Sequence, residues 1–214
     1  MYLPSHFAET RLDVLHGFVQ RHPFGLLVTP GADGAVANSI PFLLDPDGTH
    51  GFGTLRGHVA RANPVWRETP AGSATLVVFE GPHGYVSPAW YPSKAEHGKV
   101  VPTWNYVMVQ ARGPLKVIDD AAWLRSFVTR LTERHETPRA APWAVSDAPD
   151  DYIDTMLRAI VGIEIELTAL SGKWKTSQNR PAADRAGVVR ALEALGDDNA
   201  RDLARQVAAP GTPD

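Results

Sequence analysis

The chain has 214 residues, 43% of them hydrophobic and 21% charged, with a formal net charge of −3 and no cysteine. That is enough for one substantial core or two small ones, and too apolar for wholesale disorder. Disulfides, thiolate metal sites and cysteine nucleophiles are excluded, and the acidic balance argues against a broad electropositive face for nucleic acid.

The first segment, SHFAETRLDVLHGFVQRH, spaces Phe7, Leu12, Leu15 and Val19 as an amphipathic helix, acidic early and basic late, which suits the helix dipole. Pro23 ends it. FGLLVTP, AVANSIPFLLDPDG and HGFGTLRG read as three strands joined at GADG and DPDG, where Gly supplies positive φ and Asp bonds its own backbone. A short helix is predicted over VARANPVWRET, then a buried strand over ATLVVFEG. GYVS and TWNYVMVQARGPLKVID continue the sheet. In the latter, Trp104, Tyr106, Met108 and Gln110 share one face, and Asn105, Val107 and Val109 the other.

AAWLRSFVTRLTERHE is predicted to be a helix with Trp123, Leu124, Phe127 and Leu131 inward, and DAPDDYIDTMLRAI another with Asp147 as N-cap. IVGIEIELTALSGKWK returns to strand alternation. The segment after Pro181 is helical with a break at Gly196. The expected organisation is an α+β domain over 1–181 built on a small antiparallel barrel, a helical segment over 182–208 packed on it, and a flexible tail over 209–214. The N-terminus lacks the basic-then-apolar pattern of a signal peptide, and no apolar run is long enough for a membrane helix, so a cytoplasmic protein is expected.

Three stretches carry candidate chemistry. GTLRGHVARANP, residues 53–64, is read as a strand ending at Leu55, a turn over Arg56–His58 and a helix start carrying Arg61 and Asn63. Free N–H groups there, with Arg nearby, suit a phosphate; the plainer reading is a solvated connection. SGKWKTSQNRP, residues 171–181, places a ring among amides and cations, as at the edge of a planar heterocycle or in an exposed loop. SPAWYPSKAEHGKVVPTWNY, residues 87–106, combines rings costly to expose with polar groups costly to bury. It fits a pocket, an interface or a structural loop. The His residues are scattered without HExxH spacing, so no metal site is expected. GxGxxG, GxxxxGK[ST] and GxSxG are all missing.

In this order, MYLPSHFAETR, LRGHVARANP, FEGPHGYVSPAWYPSK, HGKVVPTWNYVMVQARG, PWAVSDAPDDYIDTMLRAIVGIEIEL and GKWKTSQNRPAADRAGV resemble the PaiB-like family of FMN-binding negative transcriptional regulators. The resemblance spans nearly everything to about residue 195. It implies an FMN-binding split barrel, a six-stranded antiparallel Greek-key barrel acting as a homodimer with FMN at the subunit interface. By strand order it implies that Asn38, Ser39, Ile40 and Leu55 line the ring and that Arg56, His58 and Arg61 hold the phosphate. Trp174, Lys175, Gln178 and Arg180 are the implied counterparts of a C-terminal Trp and Arg near the flavin. Trp104 and Asn105 would start a strand near the partner's flavin, with the aromatic loop walling the site or burying the dimer seam. DNA is a partner that neither the charge nor a recognisable binding motif supports. The alternative is an FMN-dependent oxidoreductase or flavin reductase acting on a small molecule, since the cofactor carries most flavin chemistry.

Overall fold

The computed structural model describes residues 1–210, so the expected tail lies outside the described residues from 211 onward. From the N-terminus come β1 (Ala8–Glu9), α1 (Leu12–Arg21), β2 (Phe24–Gly31), β3 (Gly34–Pro41), β4 (Leu43–Asp45) and β5 (Thr54–Ala60). Next are α2 (Val65–Glu68), β6 (Ala74–Val86), α3 (Ser93–His97), β7 (Thr103–Ile118) and α4 (Ala121–Glu136). The chain continues with α5 (Asp150–Arg158), β8 (Ile160–Glu166), β9 (Ala169–Lys175), α6 (Ala182–Leu195) and α7 (Asp198–Ala208). It divides into two compact units, one of Pro23–Val78 with Ala111–Ala169, the other of Met1–His22, Phe79–Gln110 and the segment from Leu170 on. Helices α6 and α7 belong to the second unit, so the division does not follow residue 181.

In the first unit the strand order is β3-β2-β6-β7-β8-β5-β4. Antiparallel ladders join β2 to β3 and β6, β5 to β4 and β8, and β7 to β8. Only Phe42 separates β3 from β4, so one stretch of chain stands at both ends of that order. It pairs with β2 through its first half and with β5 through its second, which closes the sheet into a barrel of six staves and removes its free edges. Phe42, at 1% exposure, turns into the core, where Leu27, Ile40, Leu55, Ile163 and Ile165 are also buried. The β2–β3 hairpin turns at Ala32–Asp33, where Gly34 takes φ 123°, a conformation costly for any residue with a Cβ.

Helix α4 lies over the outer face of β8. Asp120 caps it by accepting the Trp123 N–H at 2.7 Å, Leu124 and Phe127 are buried, and the Trp123 ring stacks on Phe127 with centroids 5.3 Å apart. Asp147 does not cap α5. It closes a 3-10 turn over Val145–Asp147 by accepting the Ala144 N–H, and α5 begins after Pro149.

In the second unit the predicted first helix starts late, at Leu12. Ala8 and Glu9 pair with Lys173 and Gly172 instead, and the Glu9 carboxylate takes the Arg11 N–H and guanidinium. The first part of the aromatic stretch is structural: Tyr91 is buried with Val86, Val188, Leu192 and Leu203, and Ser93 donates to Asp184. Helix α6 comes so near the backbone at Trp90 that only Gly187 fits between them.

Candidate functional site

The positions expected to hold a cofactor fall into one set in each unit. In the barrel unit, Asn38 faces inward on β3, and its Oδ1 accepts a hydrogen bond from Asn63 Nδ2 at 2.8 Å. The Asn38 Nδ2 group is buried without a partner, as is Thr29 Oγ1 on neighbouring β2. Ser39 is exposed on the opposite face, while Ile40 and Leu55 are core residues.

The segment after Leu55 is not a turn and a helix start. It stays in β5 through Ala60, because each residue from Thr54 to Ala60 pairs with β8, and the helix begins only at Val65. No helix N-terminus is presented at Arg56–Arg61, and the cations there are committed. Arg56 lies between Asp45 and Glu164, with its Nε 2.8 Å from Glu164 Oε2. Arg61 grips both oxygens of Asp119 at 2.9 and 2.6 Å and donates to the carbonyls of Arg158 and Ile160, so its guanidinium is held protonated even above its ordinary range. His58 points outward under α4, edge-on to Phe127 at 5.7 Å, and burial pushes its pKa down.

Asn63, Trp66 and Arg67 were not singled out as ligands by strand order, yet they organise this corner. Asn63 Oδ1 accepts the Val65 N–H, Trp66 Nε1 donates to the Arg61 carbonyl, and the Arg67 guanidinium covers the Trp66 ring at 4.9 Å. Trp66 and Arg67 line a cavity of about 640 Å³ together with Thr69, Leu115, Lys116 and Glu164.

In the second unit, Trp104 is half-exposed; it stacks on His83 at 6.0 Å and donates to His83 Nδ1 at 3.3 Å. With Glu80, Tyr106 and Met108 these rings line a cavity of about 280 Å³. Asn105, at 1% exposure, donates to Ser177 Oγ at 2.9 Å and leaves its Oδ1 buried without a partner. Ser177 is the one non-glycine residue among those described with positive φ, 66°, so this tight loop stores backbone strain. Gln178 braces it, accepting the Thr176 N–H and donating to the Trp174 carbonyl.

Trp174 is not a ring on the surface. At 3% exposure it packs edge-on to Phe18, in space that a side chain at Gly172 would fill, and its indole N–H donates to Gln206. Lys175 donates to Thr103 Oγ1 and the Trp104 carbonyl, and its pKa is lowered by burial, then by the charges of Lys173 and Arg180. Arg180 lies over the Tyr91 ring at 5.0 Å. Among the described residues no cluster of three or more His, Cys, Asp or Glu could hold a metal ion, and no helix is long and apolar enough to cross a membrane.

The closed six-stave barrel with helices is the fold of the flavin-binding split barrels. It is shared with the flavocytochrome Anf3 of Azotobacter vinelandii, at TM-score 0.56 and 13% identity over 80% of this chain and 70% of that one. An FAD- and heme-binding protein of Mycobacterium smegmatis matches at TM-score 0.54 and 18% identity, over 78% and 73%. Residues 1–169 match the family described as "Putative FMN-binding domain". An uncharacterised protein of Aspergillus fumigatus is 36% identical over 97% of this chain and 96% of its own. The protease synthase and sporulation protein PAI 2 of Bacillus subtilis is 31% identical over 95% of each. The chain belongs to this FMN-binding family, among its PaiB-like members, and FMN is its cofactor.

Proposed function

We propose that this protein is a negative transcriptional regulator of the PaiB type that works as a homodimer with FMN bound at the subunit interface. The observation that carries the dimer is the outward face of β2, β3 and β6. Phe24 and Leu26 stand 66% and 40% exposed there. By register Phe24 adjoins Pro41 on β3, Leu26 adjoins Ser39 on β3 and Val78 on β6, and Val28, between Ala37 and Leu76, continues the same face, all of them exposed or half-exposed. An apolar sheet face of this kind is a docking surface, and a stable dimer needs about 1,000 Å² or more of it. The regulatory role is supported by the B. subtilis relative, whose name ties it to protease synthesis and sporulation. The acidic balance of the chain favours control through a partner or a conformational change over a broad DNA-binding face.

The residues fit a flavin unevenly. The unpartnered Asn38 amide is a donor suited to a carbonyl or ring nitrogen at a flavin edge. Arg56 and Arg61 are already neutralised by carboxylates and suit a phosphate poorly. Bound FMN would supply reversible one- and two-electron redox chemistry; this chain's share is to bind, orient and shield it. The test combines light scattering, the absorption spectrum of purified protein, and retardation of the promoter DNA upstream of its own gene with oxidised and reduced FMN. Dimers that keep FMN and retard the DNA in a flavin-dependent, salt-sensitive way are expected. Flavoprotein that ignores the promoter but turns over a nicotinamide with an acceptor would make it an oxidoreductase instead.

A further inference from the structure

Three cations in the second unit have no carboxylate to answer them. Lys173 is only 7% exposed, yet its ammonium has one hydrogen bond, to the Tyr2 carbonyl at 2.9 Å. Its remaining contacts are the faces of Tyr2 and Tyr106, each with its centroid 5.4 Å away. Lys175, two residues along β9 and so on the same side of the strand, reaches the same Tyr106 ring at 6.0 Å and is otherwise held by Thr103 and the Trp104 carbonyl. Arg180 covers Tyr91 and, like Lys173, acts on the Lys175 charge. Among the described residues none of the three lies within ion-pair distance of an acidic group, whereas Arg56, Arg61, Arg125 and Arg130 all do.

Buried charges are ordinarily paired, because removing a lone ammonium from water is costly. Like charges gathered here compound that cost: Lys173 and Lys175 share the Tyr106 ring, Arg180 lies nearby over Tyr91, and Lys175 has its pKa lowered by burial first and then by the other two charges. Rings and carbonyls orient the ammonium groups without cancelling their charge, which leaves it available to a ligand.

We propose that Lys173, Lys175 and Arg180 form an anion site for a phosphoryl group whose attached flat body lies along the exposed Trp104 ring beside the half-buried Tyr106. The site is built within one unit and is tested by ligand affinity alone, so it stands or falls apart from the regulatory reading. Two ligands present this chemistry: the 5′-phosphate of FMN, and the phosphate of a separate small molecule.

Purified protein would be titrated with FMN, with riboflavin, and with inorganic phosphate at constant ionic strength. The titrations would be repeated on Lys173→Met, Lys175→Met and their charge-preserving Arg counterparts. If the site takes the flavin phosphate, the Met variants weaken FMN about tenfold or more while riboflavin affinity is unchanged, and the Arg variants recover it. If it takes another ligand's phosphate, FMN affinity is unchanged and the stabilisation by inorganic phosphate over chloride disappears in the Met variants. The native protein decides the matter even if those variants fold poorly. Equal affinity for FMN and riboflavin, with no stabilisation by phosphate beyond that of chloride, overturns the assignment.

Discussion

Replacing Arg56 by Met separates the two roles open to this residue, phosphate ligand and structural ion pair. Its guanidinium joins Asp45 on β4 to Glu164 on β8 across the outer face of the barrel, and the three side chains are 26%, 22% and 19% exposed. Pairs screened this little are worth more than surface pairs, and removing one partner leaves the others facing each other. Arg130 still reaches Asp45, and Lys116 lies 3.7 Å from Glu164, so the loss is cushioned. The expected cost is about 1–2 kcal/mol, a fall in Tm of about 2–8 °C for a chain of this size. A double-mutant cycle with Glu164→Gln should show a coupling of about 1 kcal/mol, and flavin affinity should stay within about twofold of native. A variant that melts like the native protein but loses FMN would refute the structural role and return Arg56 to the phosphate.

Three further outcomes follow from geometry. His58 is folded with a depressed pKa, so the unfolded chain binds its proton first. The stability tied to neutral His58 is therefore present above about pH 6.5 and lost as pH falls through the folded value. A His58→Gln variant should show a flatter Tm profile between pH 7 and 5 than the native protein; parallel profiles would count against it. Gly187→Ala should cost more than about 3 kcal/mol, since the added methyl meets the Trp90 carbonyl, while Ala186→Gly in the same helix should cost only about 1 kcal/mol in denaturant titrations. Phe24→Lys should turn the proposed dimer into a monomer by light scattering without lowering Tm by more than the loss of the dimer accounts for.

The elements legible in the sequence were those whose signal is local. The GADG turn, with its positive-φ Gly34, and the alternation along β7 read correctly: Asn105, Val107 and Val109 are buried, and Trp104 is exposed; at DPDG the positive φ falls instead on Gly51 and Gly53. Residues 56–63 misled because their conformation is set from afar. The turn-like Arg-Gly-His is held extended by β8, more than a hundred residues away, and Gly57 is there to let Phe42 and Ile40 pack. Glu164 and Asp119, acidic partners of Arg56 and Arg61, lie 108 and 58 residues away along the chain, so cations that looked available are not. Trp174 carried a usable signal in Gly172, since a glycine inside a strand often marks close packing, here that of the indole ring itself. Lys173 could not be told from a solvated lysine without its burial.

Phe42 does more than fill space. Because residues 34–45 serve as the first and the last stave, their side-chain alternation must satisfy two neighbours on opposite flanks. An extra residue at Phe42 would turn either β3 or β4 inside out, and neither could slip to recover without breaking the other's ladder. The 46–53 connection carries no such double obligation. Length differences between relatives are therefore expected to accumulate in that connection, while the spacing from Asn38 to Asp45 stays constant. The same stretch is a poor place to insert a tag or open new termini, and the neighbouring turn a good one.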